Sequence, residues 1–263
     1  MRSRNTFLSI CAALCVQSSL AAYQDAIRHS ELANELTLRG LAQPTGSGVR
    51  VTQVEVSEAT NAYLPERTNT EFSGKTIADR STVGLSSGHA TTVAKNLYGN
   101  TTSIAPGITE VDAYEANDWL DRGWYLATPP IETNPLQNHS WVAWIEDNNA
   151  SIRMDYAMNR DRFLAIAGLY NADWGPQDTP SDIPDTYASI YNGITVGVSD
   201  GSHRQGTTSY DGVGRTKPEI VAHASFTSYA TPYVTAAAAI LIESAGAHTT
   251  ASDPLVLKAT LLA

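Results

Sequence analysis

The chain has 263 residues, of which 42% are hydrophobic and 17% charged, so it holds enough apolar material for one sizeable core and is not a disordered polymer. Its formal net charge is −10, from 17 basic and 27 acidic side chains. Because the chain is acidic and has no basic cluster, we expect neither nucleic acid nor an anionic membrane surface as a partner.

The first 21 residues have the three parts of a secretory signal peptide. Arg2 and Arg4 make a short positive region, residues 7–16 make an apolar stretch, and residues 19–21 end in the small residues of a cleavage site. The alternative is a buried N-terminal helix. The longest later apolar run, 234–242, is far shorter than the roughly 20 residues of a membrane span. We therefore predict an exported protein, periplasmic or secreted, without a membrane span.

After the signal peptide, the sequence predicts an N-terminal helical segment (22–44) and one larger domain (45–263). The domain holds short elements between polar loops, and residues 57–88 look irregular. Strands are predicted at 49–56, 108–113, 163–167 and 194–198, with further short apolar runs at 141–145 and 220–222, and helices at 90–98, 149–160, 228–245 and 253–262.

The predicted strands are apolar runs that alternate with helices. This pattern is typical of a parallel sheet, because such a sheet is buried on both faces. The sequence therefore predicts an α/β fold, a parallel sheet with helices on both faces.

A serine begins the most apolar of the predicted helices. Ser228 lies in the segment TSYATP, and Pro232 places the helix start close to it, because proline is tolerated mainly near a helix start. The free N–H groups and the dipole of a helix start favour negative charge, as a nucleophile that forms an oxyanion requires. The alternative is an ordinary serine cap.

A histidine and a carboxylate occupy two further element ends. His89 lies at the entry of a predicted helix, within SGHATTVA, and Glu55 lies near the end of the predicted strand 49–56. Taken singly, each is more simply a packed or solvated residue. A carboxylate, a histidine and Ser228 in this chain order, however, match one of the three known orders of the serine-hydrolase triad.

These segments resemble motifs of the subtilisin-like serine peptidases, the subtilases. TSYATP resembles their G-T-S-x-A-T-P serine motif, SGHATTVA their G-H-G-T-x-V-A histidine motif, and GVRVTQVEVS the strand that ends in D-[ST]-G. Weaker likenesses extend the resemblance over roughly 45–263, at residues 104–107, 138–141, 163–171, 191–197 and 217–222.

The resemblance implies a subtilisin-like parallel sheet and a serine endopeptidase that acts on peptides or proteins. It implies that Ser228 is the nucleophile, His89 the general base, Glu55 the acid that orients the histidine, and Asn171 an oxyanion-hole donor. The substrate-binding residues it implies are Ser140, Trp141 and Val142. No cofactor is implied; many subtilases bind calcium, but neither a calcium loop nor another metal site is identifiable in this sequence.

The chain departs from the family pattern around the site. Glu55 replaces the usual aspartate, Ala90 and Phe226 replace glycines, and Asn171 aligns with the family's asparagine only after a shift. These departures keep an alternative function open, that of a catalytically weak or inactive relative that acts in binding.

A second serine pattern lies just before His89. Residues 84–88 spell G-x-S-x-G, the nucleophile elbow of α/β-hydrolases, with Ser86 as the nucleophile. That motif requires a strand before it and an acid and a histidine later in the chain. Here polar residues precede it and His89 follows at once. The context therefore disfavours an esterase.

Overall fold

The computed structural model describes residues 27–124, 127–142, 148–171, 181–182, 187–207 and 215–263. The chain divides into two compact units, Met1–Gln43 and Pro44–Ala263. The predicted signal peptide and its cleavage site lie outside the described residues. Among the helices that are described, none is long and apolar enough to cross a membrane.

The first unit contains helix α1 (His29–Leu38), within the segment 23–40 that is rich in helix-forming residues. Ion pairs Arg28–Glu31 and Arg39–Glu35 flank it on the exposed surface. No residue of the helix is buried. Because exposed ion pairs contribute little to stability, the helix has only weak local support of its own.

The second unit is built on a parallel sheet. Its strands are β1 (Arg50–Glu55), β2 (Ala62–Leu64), β3 (Thr76–Asp79), β4 (Leu85–Ser86), β5 (Glu110–Glu115), β6 (Leu136–His139), β7 (Leu164–Gly168), β8 (Ser181–Asp182), β9 (Ile194–Val198), β10 (Gly206–Thr207), β11 (Thr216–Lys217) and β12 (Ile220–Ala222). In the described part of the chain, seven of them form the main sheet in the order β12-β9-β7-β6-β1-β5-β3. Each neighbouring pair in this sheet is parallel.

Helices cover both faces of this sheet, as the sequence predicted. The helices are α2 (Gly88–Tyr98), α3 (Ala116–Trp119), α4 (Asn148–Asp161), α5 (Thr227–Ala245) and α6 (Pro254–Leu262), with a 3-10 turn at Thr70–Phe72 and a π-helical turn at Leu120–Trp124. Successive side chains of a strand point to opposite faces. In β7, Ala165 and Ala167 join the core formed with α3 and α4, whereas Gly168 lies against Thr231 of α5.

The chain order of the strands reverses beside β1. From β1 the chain proceeds to β3 and β5 on one side and then crosses to β6 on the other. In open parallel sheets such a reversal leaves a crevice outside the carboxyl ends of the strands, where ligands bind. Glu55 ends β1 and His139 ends β6, so two of the predicted site segments meet at this crevice.

Strand β6 differs from the sequence prediction. It spans Leu136–His139 and precedes the apolar run 141–145, of which 143–145 lie outside the described residues. Its polar side chains are buried. Asn138, for example, accepts a hydrogen bond from Thr235 at 3.0 Å and donates one to Ser140 at 2.9 Å. Because buried polar groups are tolerated when they are hydrogen-bonded, a polar segment forms this central strand.

Strand β3 lies in the segment 57–88 that the sequence indicated as irregular. It is an edge strand of the main sheet, and of its four residues only Ile77 is buried. An edge strand with a single buried residue needs no apolar alternation, so its sequence carries little strand signal.

Candidate active site

Glu55 lies at the carboxyl end of β1 and is 1% exposed. Alternation along the strand places Gln53 on the same side of the sheet. Gln53 Nε2 donates a hydrogen bond to Glu55 Oε1 at 3.2 Å, and Gln53 Oε1 in turn accepts one from the Tyr98 hydroxyl at 2.7 Å. One oxygen of the buried carboxylate is therefore held by the strand's own side chain.

His89 is the second residue of α2, which begins where the Ser87 hydroxyl accepts a hydrogen bond from the Ala90 N–H at 3.0 Å. This is the usual serine cap of a helix start. It presents the His89 ring to Glu55, whose Oε2 lies 3.0 Å from Nδ1. A carboxylate on Nδ1 favours the neutral tautomer that carries its proton there and leaves Nε2 as an acceptor.

Two carboxylates act on the pKa of His89. Burial lowers this pKa, but the hydrogen bond and charge of Glu55, together with the charge of Glu58, outweigh burial. The pKa of His89 therefore lies above its ordinary value of 6.5. The folded protein therefore stabilises the protonated ring relative to an ordinary histidine, which suits a base that carries a proton during a reaction.

Glu58 contacts the backbone of His89 rather than its ring. Its Oε2 accepts a hydrogen bond from the Ser87 hydroxyl at 2.7 Å and another from the His89 N–H at 3.2 Å. The bond from Ser87 is the main cause that lowers the pKa of Glu58. Because a negative charge is favourable at a helix start, Glu58 holds the turn that carries His89, while Glu55 holds the ring.

Ser228 is the second residue of α5, which Phe226 precedes as the cap residue. The first four N–H groups of a helix have no partner within it, so the Ser228 N–H is available to another acceptor. Pro232 lies in the next turn and lacks the N–H that would bond to the Ser228 carbonyl. The serine thus lies at a helix end with free backbone polar groups.

A cleft of about 260 Å³ joins the starts of α2 and α5. The predicted site residues that line it are His89, Ser140, Trp141, Val142, Asn171 and Ser228. Glu55 lies behind the His89 ring. The structure therefore brings the predicted site residues to one place.

Within the described residues, no hydrogen bond joins the His89 ring to the Ser228 hydroxyl. Catalytic hydrogen bonds are often long or poorly aligned without substrate and tighten when it binds. In the described part of the chain, the hydrogen bond between Glu55 and His89 is formed, and Ser228 lines the same cleft as His89 without a hydrogen bond to its ring.

Asn171 follows β7, and its side chain reaches the start of α5. Its Oδ1 accepts hydrogen bonds from the N–H of Thr227 at 2.8 Å and from the Thr227 hydroxyl at 3.1 Å. A short antiparallel bridge to His203 holds its backbone. The amide oxygen is therefore engaged by the residue before Ser228, and Asn171 lines the cleft beside it.

One wall of the cleft continues from β6. Ser140 accepts a hydrogen bond from Asn138 at 2.9 Å. The ring of Trp141 packs against His139 and Tyr187, with centroid distances of 5.9 and 5.8 Å. The tryptophan therefore borders the cleft with its ring anchored in an aromatic cluster.

Three residues that the sequence analysis passed over also support the site: Gln53, Thr227 and Asn138. Gln53 carried a signal, since it is a polar residue two positions before Glu55 in an apolar strand. Thr227 adjoins Ser228, but its bonds to Asn171 depend on a contact between distant segments. Within the described ranges, no group of three or more His, Cys, Asp or Glu side chains could hold a metal ion.

Comparison with known proteins relates this arrangement to solved structures. No protein-family model matches the chain, and no curated protein matches its sequence. A cold-adapted subtilisin-like serine proteinase aligns with a TM-score of 0.61 and 17% identity, over 84% of this chain and 83% of that one. Sphericase aligns with a TM-score of 0.58 and 16% identity, over 84% of each chain. A lanthipeptide protease aligns with a TM-score of 0.54 and 13% identity, over 88% of this chain and 80% of that one.

This chain has the subtilisin-like fold. The fold predicted from the sequence resemblance is therefore confirmed over most of the chain. Within this fold, Glu55 contacts His89 from the end of β1, where the family pattern has an aspartate.

Proposed function

We propose that this subtilisin-like chain is a serine endopeptidase in which Ser228, His89 and Glu55 act together. The observation that carries the proposal is the 3.0 Å contact between Glu55 Oε2 and His89 Nδ1, beside a cleft that His89 shares with Ser228. The likeness in fold to subtilisin-like serine proteinases supports the same class of reaction.

In the proposed reaction, Ser228 Oγ attacks the carbonyl carbon of the scissile peptide bond while His89 Nε2 accepts the hydroxyl proton. When the tetrahedral intermediate collapses, the C–N bond breaks and His89 gives that proton to the leaving amine. Water then attacks the acyl carbon while His89 takes its proton; the bond between that carbon and Ser228 Oγ breaks, His89 gives the proton to Oγ, and the acyl half leaves as a carboxylic acid. Glu55 stays ionised and stabilises the imidazolium that forms in each half.

The negative charge that develops on the substrate oxygen needs donors at the helix start. The Ser228 N–H and the Asn171 NH₂ group are the proposed donors. The start of α5 adds the positive end of the helix dipole. Donors that are already oriented stabilise such a charge without reorganisation, and removing one in subtilisin costs about 10²–10³ in kcat.

The substrate side chain before the scissile bond is proposed to enter the cleft. Ser140, Trp141 and Val142 form its wall, and the anchored Trp141 ring offers an apolar surface. We therefore propose peptides or unfolded proteins as substrates. Each cleavage consumes one water molecule and returns Ser228 and His89 to their starting protonation states.

The alternative, a relative that binds peptides without cleaving them, rests on the departures from the family pattern. The geometry is compatible with catalysis at two of them: Glu55 reaches His89 at 3.0 Å, and Asn171 lines the cleft despite its shifted place in the sequence. A fluorescent serine-reactive phosphonate and the hydrolysis of casein separate the two functions. We expect covalent labelling and casein cleavage; a folded chain that does neither would favour the binding function.

The pH dependence of catalysis follows from the raised pKa of His89. The base must be neutral to accept a proton, so we expect kcat/KM to rise with pH through a midpoint above 6.5. The same shift stabilises the fold at pH values below 6.5, and this contribution is lost as pH rises through the folded pKa. A pH–rate profile measures the midpoint, and a midpoint at or below 6.5 would contradict the assigned contacts.

We also propose that the protein is exported, on the strength of the signal-peptide pattern in residues 1–21. N-terminal sequencing of protein recovered outside the cytoplasm should begin at Ala22 or Tyr23. Exported protein that still begins at Met1 would refute removal of the segment.

A further inference from the structure

An aromatic pair lies next to His89 and outside the cleft. The rings of Tyr229 and His89 have centroids 5.8 Å apart, and the ring of Phe226 meets that of Tyr229 at 5.6 Å and an interplanar angle of 78°. We call these three rings the aromatic row. Phe226 and Tyr229 are not among the described residues that line the cleft. His89 therefore has the cleft on one side and, outside the cleft lining, the rings of Tyr229 and Phe226.

Phe226 is neither a favourable cap residue nor a core residue, although its ring packs edge-to-face against Tyr229. It caps α5 but makes no side-chain cap bond, although Ser, Thr, Asp and Asn are the residues that stabilise this position. Its side chain is not in the core either, because the residue is 41% exposed. A phenylalanine therefore stands in place of a cap former directly before Thr227 and Ser228, with part of its surface open to solvent.

The roles of the two substrate halves in the proposed reaction indicate which half lies near the aromatic row. The half of the substrate that becomes the acyl ester occupies the cleft. The leaving amine must lie against the His89 ring, because that ring delivers its proton. Because Tyr229 lies beside the His89 ring and Phe226 beside Tyr229, both rings are within reach of the chain that continues from the leaving amine.

We infer that Phe226 and Tyr229 bind the substrate residue that follows the scissile bond and select an apolar or aromatic side chain there. This inference rests on the proposed peptidase function and adds a substrate class to it. An aromatic surface gains from contact with an apolar side chain by area burial and, for a ring, by edge-to-face packing. A serine or aspartate in its place gains neither.

The test uses peptides that share one acyl half, taken from a bond that the wild-type protein cleaves in casein, and carry Phe, Leu, Ser or Asp after that bond. We expect wild-type kcat/KM to be about 10-fold higher or more with Phe or Leu than with Ser, the scale of discrimination by an apolar subsite. Phe226→Ser, which supplies a cap residue, should lose most of this preference, whereas Phe226→Leu should retain it. Ile152→Ala removes another exposed apolar side chain, 52% exposed on α4, and should leave the preference unchanged.

A phosphonate probe keeps this test apart from that of the proposed function, because it carries no peptide segment after the reacting centre. Wild-type protein that is labelled but cleaves all four peptides equally would overturn the inference alone. So would a preference that Phe226→Ser leaves intact. Wild-type protein that is folded but not labelled would overturn the proposed function and this inference together.

A second measurement needs no variant and covers the case in which Phe226→Ser fails to fold. The acyl-enzyme is formed from a peptide ester in the presence of phenylalaninamide or serinamide, and the peptide products are quantified. We expect capture by phenylalaninamide to exceed capture by serinamide by about 10-fold. Equal capture would overturn the inference.

Discussion

Ser228→Ala is expected to abolish phosphonate labelling and to lower kcat for peptide hydrolysis by about a millionfold, the scale known for loss of the nucleophile in subtilisin. The substitution removes the only atom that forms the proposed acyl ester. The fold should persist, because Phe226 and not Ser228 is the cap residue of α5, and loss of a helix-start hydroxyl costs on the order of 1 kcal/mol. Thermal unfolding measured beside the labelling separates loss of chemistry from loss of structure.

Ser86→Ala is the matched control for this experiment. Ser86 belongs to the G-x-S-x-G segment, ends β4 and is exposed, so it is the competing serine in the sequence. The Ser86→Ala protein should be labelled as the wild type is. Labelling that persists in Ser228→Ala but disappears in Ser86→Ala would transfer the nucleophile to Ser86 and refute the proposed triad.

Glu55→Gln is expected to lower kcat by about 10³–10⁴ while the fold is retained, on the scale known for the corresponding change in a serine protease. Gln53 Nε2 donates to Glu55 Oε1, so a glutamine at position 55 satisfies it by placing its own amide oxygen there. Its NH₂ group then faces His89 Nδ1, which must accept that hydrogen bond. The tautomer that results has its proton on Nε2 and cannot take one from Ser228.

Two further variants test this explanation. Glu55→Asp should lose less activity, because the charge remains but the carboxylate falls short of the ring by about one C–C bond. Glu58→Gln should cost under about 10-fold, because an amide oxygen still accepts the bonds from Ser87 and the His89 N–H. If Glu58→Gln were the more damaging change, Glu58 and not Glu55 would be the functional partner of His89.

Local sequence was sufficient for the elements that are rich in apolar residues. Strand β9 is buried along its whole length and has the predicted bounds Ile194–Val198, and α5 begins within one residue of its prediction. The reason is that the apolar run of such an element is visible in a single sequence. The serine motif lies at the start of α5, the histidine motif at the start of α2 and the carboxylate at the end of β1, so the candidate site could be predicted with the fold.

The remaining features depended on contacts between distant segments. The polar strand β6 is buried because partners from other elements, such as Thr235, complete its hydrogen bonds. The strand-end alignment favours Glu55 over Glu58 as the partner of His89, but only the tertiary contacts show that Glu55 meets the ring and Glu58 the backbone N–H. The sequence by itself therefore determined which residue types lie at the ends of strands and helices, because apolar periodicity and capping patterns are local in the chain. The tertiary structure decided which atoms meet, because hydrogen-bond partners are chosen in space.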